Sequence, residues 1–531
     1  MKTNNGSYVN IDPDVLGYMW HGCKGDFSNL PEKIELYLEG YKGHGISDLL
    51  FNIFCQNSIV PTKHVGFIAD KYNIKEEHGT AVDYSGETHT LAAYKAYEQM
   101  DDPIGYMMDK AKEQGYNVWL SYRMNDCHGS HAKNFCGRSE NLYYYAKENG
   151  SFIGDHVAGS YFGECLDYSD KKIRDIMLAY VKETVERYDP YGIELDFSRE
   201  MFCFDYEKTP DACEIMTGFI GDVKNILSDF EKRFGHKIKV LVRLVRDIEN
   251  NRIFGFDVKE WIRLGLVDVL VPTSRWRSSD SDMPISEWKK LTEGTDVTVA
   301  AGIEFYLWEQ IKINAEVQRA LSAQYFDEGA DKIYLYNQYR EAVELPDMTE
   351  WFATHPSYAS SEKRSTTAEE AAIWNSDLLA KIDLYKTDVW DASADATSAR
   401  AGTRRHILTF TEDCLVPKGG TAFSPLPIRI CGEVSFTKLT GNLIGEDVLL
   451  YIGITKDANP PRVTVDGNEA SLIGRTDDAY FQNPDRDGPN PSYFTNFDYY
   501  AYKVIPGEGN YREIKFYGDS LAVEYLEFKV N

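Results

Sequence analysis

Apolar and polar positions follow one rhythm up to about residue 345 and another after about residue 400. In the first part, short apolar runs alternate with longer stretches whose apolar positions recur every three or four residues. The runs Gly45–Phe54, Tyr116–Tyr122, Phe162–Leu166, Ile193–Phe197, Lys237–Val245, Val267–Val271, Val297–Ile303 and Lys332–Tyr336 predict eight strands. The stretches Leu30–Glu39, Thr90–Gln114, Asp211–Phe234, Val258–Leu264 and Ala315–Glu328 predict helices. A further helix follows Ser169, a candidate cap, with Ile173, Ile176, Met177, Tyr180 and Val181 on one face. Residues 1–40 read as a lead-in. Strands and helices in alternation over about 300 residues predict a (β/α)8 barrel. The rival is an open doubly wound sheet, but no glycine-rich phosphate turn follows the first run.

The second rhythm is short alternating runs between Gly and Pro turns: His406–Phe410, Val448–Ile454, Arg462–Val465, Tyr500–Val504, Glu513–Phe516 and Ala522–Lys529. They predict an all-β sandwich. The organisation expected is a barrel domain over 1–385, with its lead-in and linker, and a β-sandwich over 386–531.

The run Tyr188–Glu200 stands out. Ile193, Leu195 and Phe197 alternate with Glu194, Asp196 and Ser198, so two carboxylates share one strand face. In a strand buried on both faces, carboxylates are costly unless paired or used. The rival reading is a wet, solvent-facing strand. Barrel chemistry sits at the carboxyl ends of the strands, so the polar residues there are the candidates. They are Arg123, Asn125, Asp126 and His128; Glu194, Asp196, Arg199 and Glu200; Arg243; Trp276; Glu304, Tyr306 and Trp308; and Asn337.

Glycoside hydrolysis needs two carboxyls flanking the sugar. Asp196 and Glu304 lie on strands nearly opposite each other and form the expected catalytic pair. Asp196 is read as the acid/base and Glu304 as the nucleophile or base. Glu194, one period deeper, is expected to hold Arg123 or Arg243. The arginines are expected to neutralise the acids more than to bind an acidic sugar. Arg123, Asn125, His128, Arg243 and Asn337 would orient the sugar, and Trp276, Tyr306 and Trp308 would offer stacking faces. A metal-assisted hydrolase or lyase using Asp126, His128 and His131 is the alternative, although no His-x-His pair closes the first run. A non-catalytic sugar-binding barrel is the third reading. No metal or cofactor is expected.

Composition narrows the partners. A net charge of −27 on 531 residues argues against nucleic-acid phosphates and anionic membranes. Nine cysteines without a Cys-x-x-Cys pair fit reduced thiols, and the first residues lack an apolar leader core. Both point to a cytoplasmic protein.

The run Asp167–Arg174, the helix after it and the segment Arg187-Tyr-Asp-Pro-Tyr-Gly-Ile-Glu-Leu-Asp-Phe197 resemble the glycoside hydrolase-like (β/α)8 proteins of bacterial carbohydrate-use loci. Tyr122–His128 is similar to their second-strand motif. The resemblance covers roughly residues 15–345 and implies a sugar-active site around Asp196. A more distant likeness is to the chitinase type, whose fourth strand reads D-G-x-D-x-D-x-E. Here Tyr191 replaces the first Asp, Glu194 and Asp196 hold the next two places, and Ser198 stands where the catalytic Glu would be. That departure counts against substrate-assisted chitin chemistry. The runs Leu449–Ile454 and Arg462–Gly467 resemble the jelly-roll modules attached to glycosidases, expected here to brace the barrel.

Overall fold

The computed structural model describes residues 7–23, 25–41, 46–55, 57–69, 85–127, 140–154, 162–205, 208–246, 248–273, 283–304, 306–308, 311–312, 322, 325–326, 328–336, 404–408, 428–439, 443, 447–479, 497–508 and 511–530. Eight parallel strands close into a barrel in chain order. They are β1 (Ser7–Ile11), β2 (Ile46–Phe54), β3 (Asn117–Arg123), β4 (Gly192–Asp196), β5 (Lys239–Val245), β6 (Val269–Thr273), β7 (Thr298–Glu304) and β8 (Lys332–Tyr336). β1 closes the ring by pairing on both sides, with Tyr8 opposite Asp48 of β2 and Tyr334 of β8.

The period-two alternation sorts each strand between two cores. Val9, Leu49, Leu120, Ile193, Leu195, Val242, Leu270, Ile303 and Leu335 face outward into the cluster shared with the helices. Tyr8, Leu50, Trp119, Leu241, Val271, Ala300, Tyr334 and Tyr336 pack inside the ring. This filled interior is why the strands read as near-continuous apolar runs. Gly192 makes room for one inner residue. A Cβ there would lie 2.2 Å from Trp119 Cζ3, and Trp119 fills the floor, donating from Nε1 to Asp48 Oδ1 at 2.9 Å.

Two strand expectations need correction. Ser7–Ile11 is β1, not part of a lead-in. The run 162–166 is turns with one isolated bridge, Phe152 to Leu166. The errors cancel in the count because the five-residue β1 is too short to carry a strong period, while 162–166 owes its burial to loop packing rather than to a ladder. Among the helices, the expected 90–114 stretch is two, Ser85–Gln99 and Pro103–Glu113. Asp102 breaks it, capping the second helix by accepting from Gly105 N at 2.8 Å. The helix Lys171–Tyr188 is capped by Asp170, which accepts from Lys172 N at 2.8 Å, rather than by Ser169. Ala212–Phe234 ends where Gly235 takes φ +77°. Most of the helix expected at 315–328 lies outside the described residues, as does the domain boundary expected at 385–386.

The C-terminal strands are β9 (Arg404–Leu408), β10 (Ile428–Leu439), β11 (Val448–Thr455), β12 (Arg462–Val465), β13 (Asn468–Glu469), β14 (Ser471–Arg475), β15 (Phe497–Val504) and β16 (Tyr511–Val530). All pair antiparallel, and β16 is shared by four partners, β9, β10, β11 and β12. The expected runs 513–516 and 522–529 are therefore one long strand. The Asp466-Gly467 turn joins β12 to β13 with both residues at positive φ, 50° and 76°. Leu450, Ile452, Val463, Phe516 and Phe528 form this domain's own core. Tyr451, Ala479, Tyr499 and Ala501 instead belong to the barrel's buried cluster.

Candidate active site

β3, β4 and β5 set the site by register. Arg123, Asp196 and Arg243 stand side by side at the carboxyl ends. Ser121, Glu194 and Leu241 lie one layer down. Glu304 ends β7 opposite Tyr336 of β8, and alternation places it on the inner face with Ala300. β4 and β7 are three places apart around a ring of eight, close to opposite.

Asp196 and Arg243 are the centre. Asp196 Oδ1 accepts from Arg243 Nη1 at 2.8 Å, Ser198 N at 2.9 Å and Arg199 N at 3.0 Å. Among the described residues its Oδ2 has no hydrogen-bond partner, nor do Arg243 Nε and Nη2. Asp196, Arg243 and Glu304 are all 0% exposed, so a wet strand is not what the fold builds. The Arg243 guanidinium carbon lies 3.4 Å from the Tyr336 ring centroid, with Arg123 at 5.8 Å from the same ring. Burial opposes the Arg243 charge, but Asp196, the tyrosines Tyr336 and Tyr334, and Glu304 outweigh it and hold its pKa above the usual arginine range.

Beside this centre runs a buried chain of alternating charge. Arg123 donates to Asp12 at 2.8 Å and to Asp126 at 3.2 Å. Arg199 lies 3.9 Å from Asp126 and donates to both oxygens of Glu200, at 2.8 and 2.9 Å. Burial raises the Asp12 carboxyl above its ordinary value despite Arg123. Arg123 and Arg199 thus pair with Asp12, Asp126 and Glu200.

Glu194 does not hold an arginine. It accepts from Asn10 Nδ2 at 3.0 Å and from the Tyr334 hydroxyl, both across the barrel. The reason is depth: the arginines lie in the layer above. Burial and the Asp196 charge push its carboxyl up to about 7, against hydrogen bonds from Ser121 and Tyr334 and the charge of Arg243.

Asn125, expected at the sugar, has its amide engaged by backbone. It donates to Leu166 O at 2.9 Å and Phe202 O at 2.6 Å and accepts from Leu166 N at 2.8 Å, tying two loops together. Tyr306 and Trp308 lie on a short hairpin with Ile311–Lys312 just past β7, and their side chains lie outside the description. His128, Trp276 and Asn337, with His131 of the metal alternative, lie outside the described residues. Asp126 is held by Arg123. Among the described residues no cluster of three or more His, Cys, Asp or Glu is placed to hold a metal ion.

Asn10, Asp12, Tyr334 and Tyr336 join the site without having been singled out in the sequence. The signal for the tyrosines was present: Lys332, Tyr334 and Tyr336 alternate with Ile333 and Leu335. Asn10 and Asp12 were hidden because β1 itself was missed.

No family model and no curated protein sequence matches this chain. Solved structures similar to it include an alpha-amylase from Geobacillus thermoleovorans complexed with acarbose, at TM-score 0.39 and 10% identity, covering 97% of this chain and 99% of that one. Another is a class V chitinase from Pseudomonas fluorescens Pf-5, at TM-score 0.35 and 10% identity, covering 65% of this chain and 98% of that one. A third is a cycloisomaltooligosaccharide glucanotransferase from Paenibacillus sp., at TM-score 0.35 and 10% identity. That match covers 98% of this chain, which spans only 57% of the transferase. Among the described residues no helix is long and apolar enough to cross a membrane.

Proposed function

We propose that this chain is a glycoside hydrolase that cleaves an oligosaccharide or small glycoside with Asp196 and Glu304 as its carboxyl pair. The observation that carries the reading is the geometry of Asp196: one oxygen fixed by three N–H donors, the other buried without a hydrogen-bond partner among the described residues. The three donors fix the orientation of the carboxyl group and leave its second oxygen open. That suits attack on the anomeric carbon, or activation of water, more than proton donation. Glu304, buried at the end of β7, then supplies the proton. This division is the reverse of the one read from sequence. Arg243 holds the bonded oxygen of Asp196 at 2.8 Å.

The chemistry needs no cofactor. Asp196, Arg243 and Glu304 are all buried, the low-dielectric setting in which their interactions are strongest. Carboxyl groups about 5–5.5 Å apart in the substrate complex give retention, and about 6.5–9.5 Å inversion.

The test is a turnover screen of wild type and Asp196→Asn on aryl glycosides and oligosaccharides. A substrate cleaved by wild type and lost by roughly 10³-fold or more in the variant supports the assignment. Equal cleavage by both removes Asp196 from the reaction path. Saturable sugar binding without turnover selects the non-catalytic reading.

A further inference from the structure

The foot of the barrel carries a feature that catalysis does not use. Where the chain enters β3, β4 and β5, a cleft of about 430 Å³ is lined by Lys112, Tyr116, Tyr191, His236, Lys237 and Lys239, with Asn117, Val118 and Asp189. It lies at the opposite end of these strands from Asp196. Its size falls within the range of small-molecule sites, roughly 300–1,000 Å³.

Its charge runs against the rest of the molecule. The chain has 84 acidic residues against 57 Lys and Arg, yet here three lysines and a histidine face one aspartate. The acids at hand are engaged. Asp189 receives His236 Nε2 at 2.7 Å, while His236 Nδ1 faces Lys237 O at 3.1 Å. Asp268 is held by Lys237, by Lys224 at 3.3 Å and by Val240 N at 2.9 Å. Lys112 donates to Tyr188 O at 2.6 Å and lies 3.6 Å from Asp109. Lys239 has only the Tyr191 ring, with its ammonium 5.0 Å from the centroid, and forms no ion pair among the described residues. A cation held over an aromatic face keeps its outward N–H donors available to an anion.

We propose that this cleft is a second, non-catalytic binding site for a sugar-sized ring bearing a compact oxyanion, either a phosphate monoester or a carboxylate. Lys239 meets the oxyanion, Lys112 and Lys237 flank it, and the Tyr191 and Tyr116 rings take the apolar face of the ring. Three lysines lining one cleft, one of them without an ion pair among the described residues, match an anion that a neutral sugar lacks. The site stands whether or not the mouth of the barrel is a glycosidase.

The experiment is calorimetric titration of the full chain with glucose 6-phosphate, glucuronate, inorganic phosphate and, as neutral control, glucose. Wild type is compared with Lys239→Gln, Lys112→Gln and Asp196→Asn, each checked for a native circular-dichroism spectrum. One-to-one binding of an anionic probe, weakened roughly tenfold or more by Lys239→Gln and unchanged by Asp196→Asn, is expected. Lys112→Gln is expected to weaken it less, and added salt to weaken it in wild type. Phosphate and carboxylate sources separate by which of the first two probes binds. No saturable binding of any anionic probe, equal binding in the lysine variants, or loss in Asp196→Asn alone overturns the proposal.

Discussion

Arg243→Met is the perturbation that most directly tests how the barrel mouth is held together. Met keeps an apolar stem and removes the charge. The variant loses the 2.8 Å contact to Asp196 and the stack on Tyr336 at 3.4 Å. It leaves Asp196 fully buried with only the Ser198 and Arg199 amides on Oδ1. Breaking a buried pair from one side costs roughly 3–5 kcal/mol, because the remaining charge is uncompensated. The stack, worth about 2 kcal/mol when desolvated, falls within that figure. Wild type already bears the unpartnered Nε and Nη2, at about 1 kcal/mol each, and Met removes that burden. The net loss is therefore about 1–3 kcal/mol. Pairing Arg243→Met with Asp196→Asn removes both charges, so the double variant is less destabilised than the sum of the singles by about 2 kcal/mol or more. Urea unfolding of the barrel followed by circular dichroism, on wild type, both singles and the double, measures the coupling. If the single effects add to within about 0.5 kcal/mol, the two side chains do not interact and the mouth described above is wrong.

Two further outcomes rest on the layers below. The Glu194 carboxyl, near 7 in the fold against an ordinary 4.5, holds a proton between those pH values that the unfolded chain has released. Its contribution is complete below about pH 4.5 and lost as pH rises to about 7, roughly 3 kcal/mol in all. Glu194→Gln cannot titrate, so unfolding midpoints at acid and neutral pH should lie closer together than in wild type; an unchanged pH slope refutes the assignment. Gly192→Ala places a Cβ 2.2 Å from the Trp119 ring and 2.9 Å from Lys239 O. It should cost about 1–3 kcal/mol or more by overpacking, read as a lowered melting temperature, and a neutral effect would mean that the floor is loosely packed.

Most of the barrel was legible because each strand lies between two apolar layers. That leaves a run of β-formers such as Val240–Val245 plain in the sequence, and β8 was expected at its observed bounds. β1 was not legible. Five residues ending at Ile11 carry too few alternations to outweigh the Asp12-Pro13 that follows, and only ring closure by β2 and β8 makes them a strand. Losing β1 also lost Asn10 and Asp12, two partners of the site.

By itself the sequence determined that Glu194 and Asp196 share a face, that the face is interior, and that arginines stand near it. Those facts follow from local period and from the cost of burying charge. Which carboxylate meets which donor was decided by the tertiary structure alone. Asp196 meets Arg243 because β4 and β5 are in register at that level. Glu194 meets Asn10 and Tyr334 because curvature brings β1 and β8 across the axis one layer lower. Neither partner lies near in sequence, and a hydrogen bond reaching 184 residues along the chain leaves no local pattern to read.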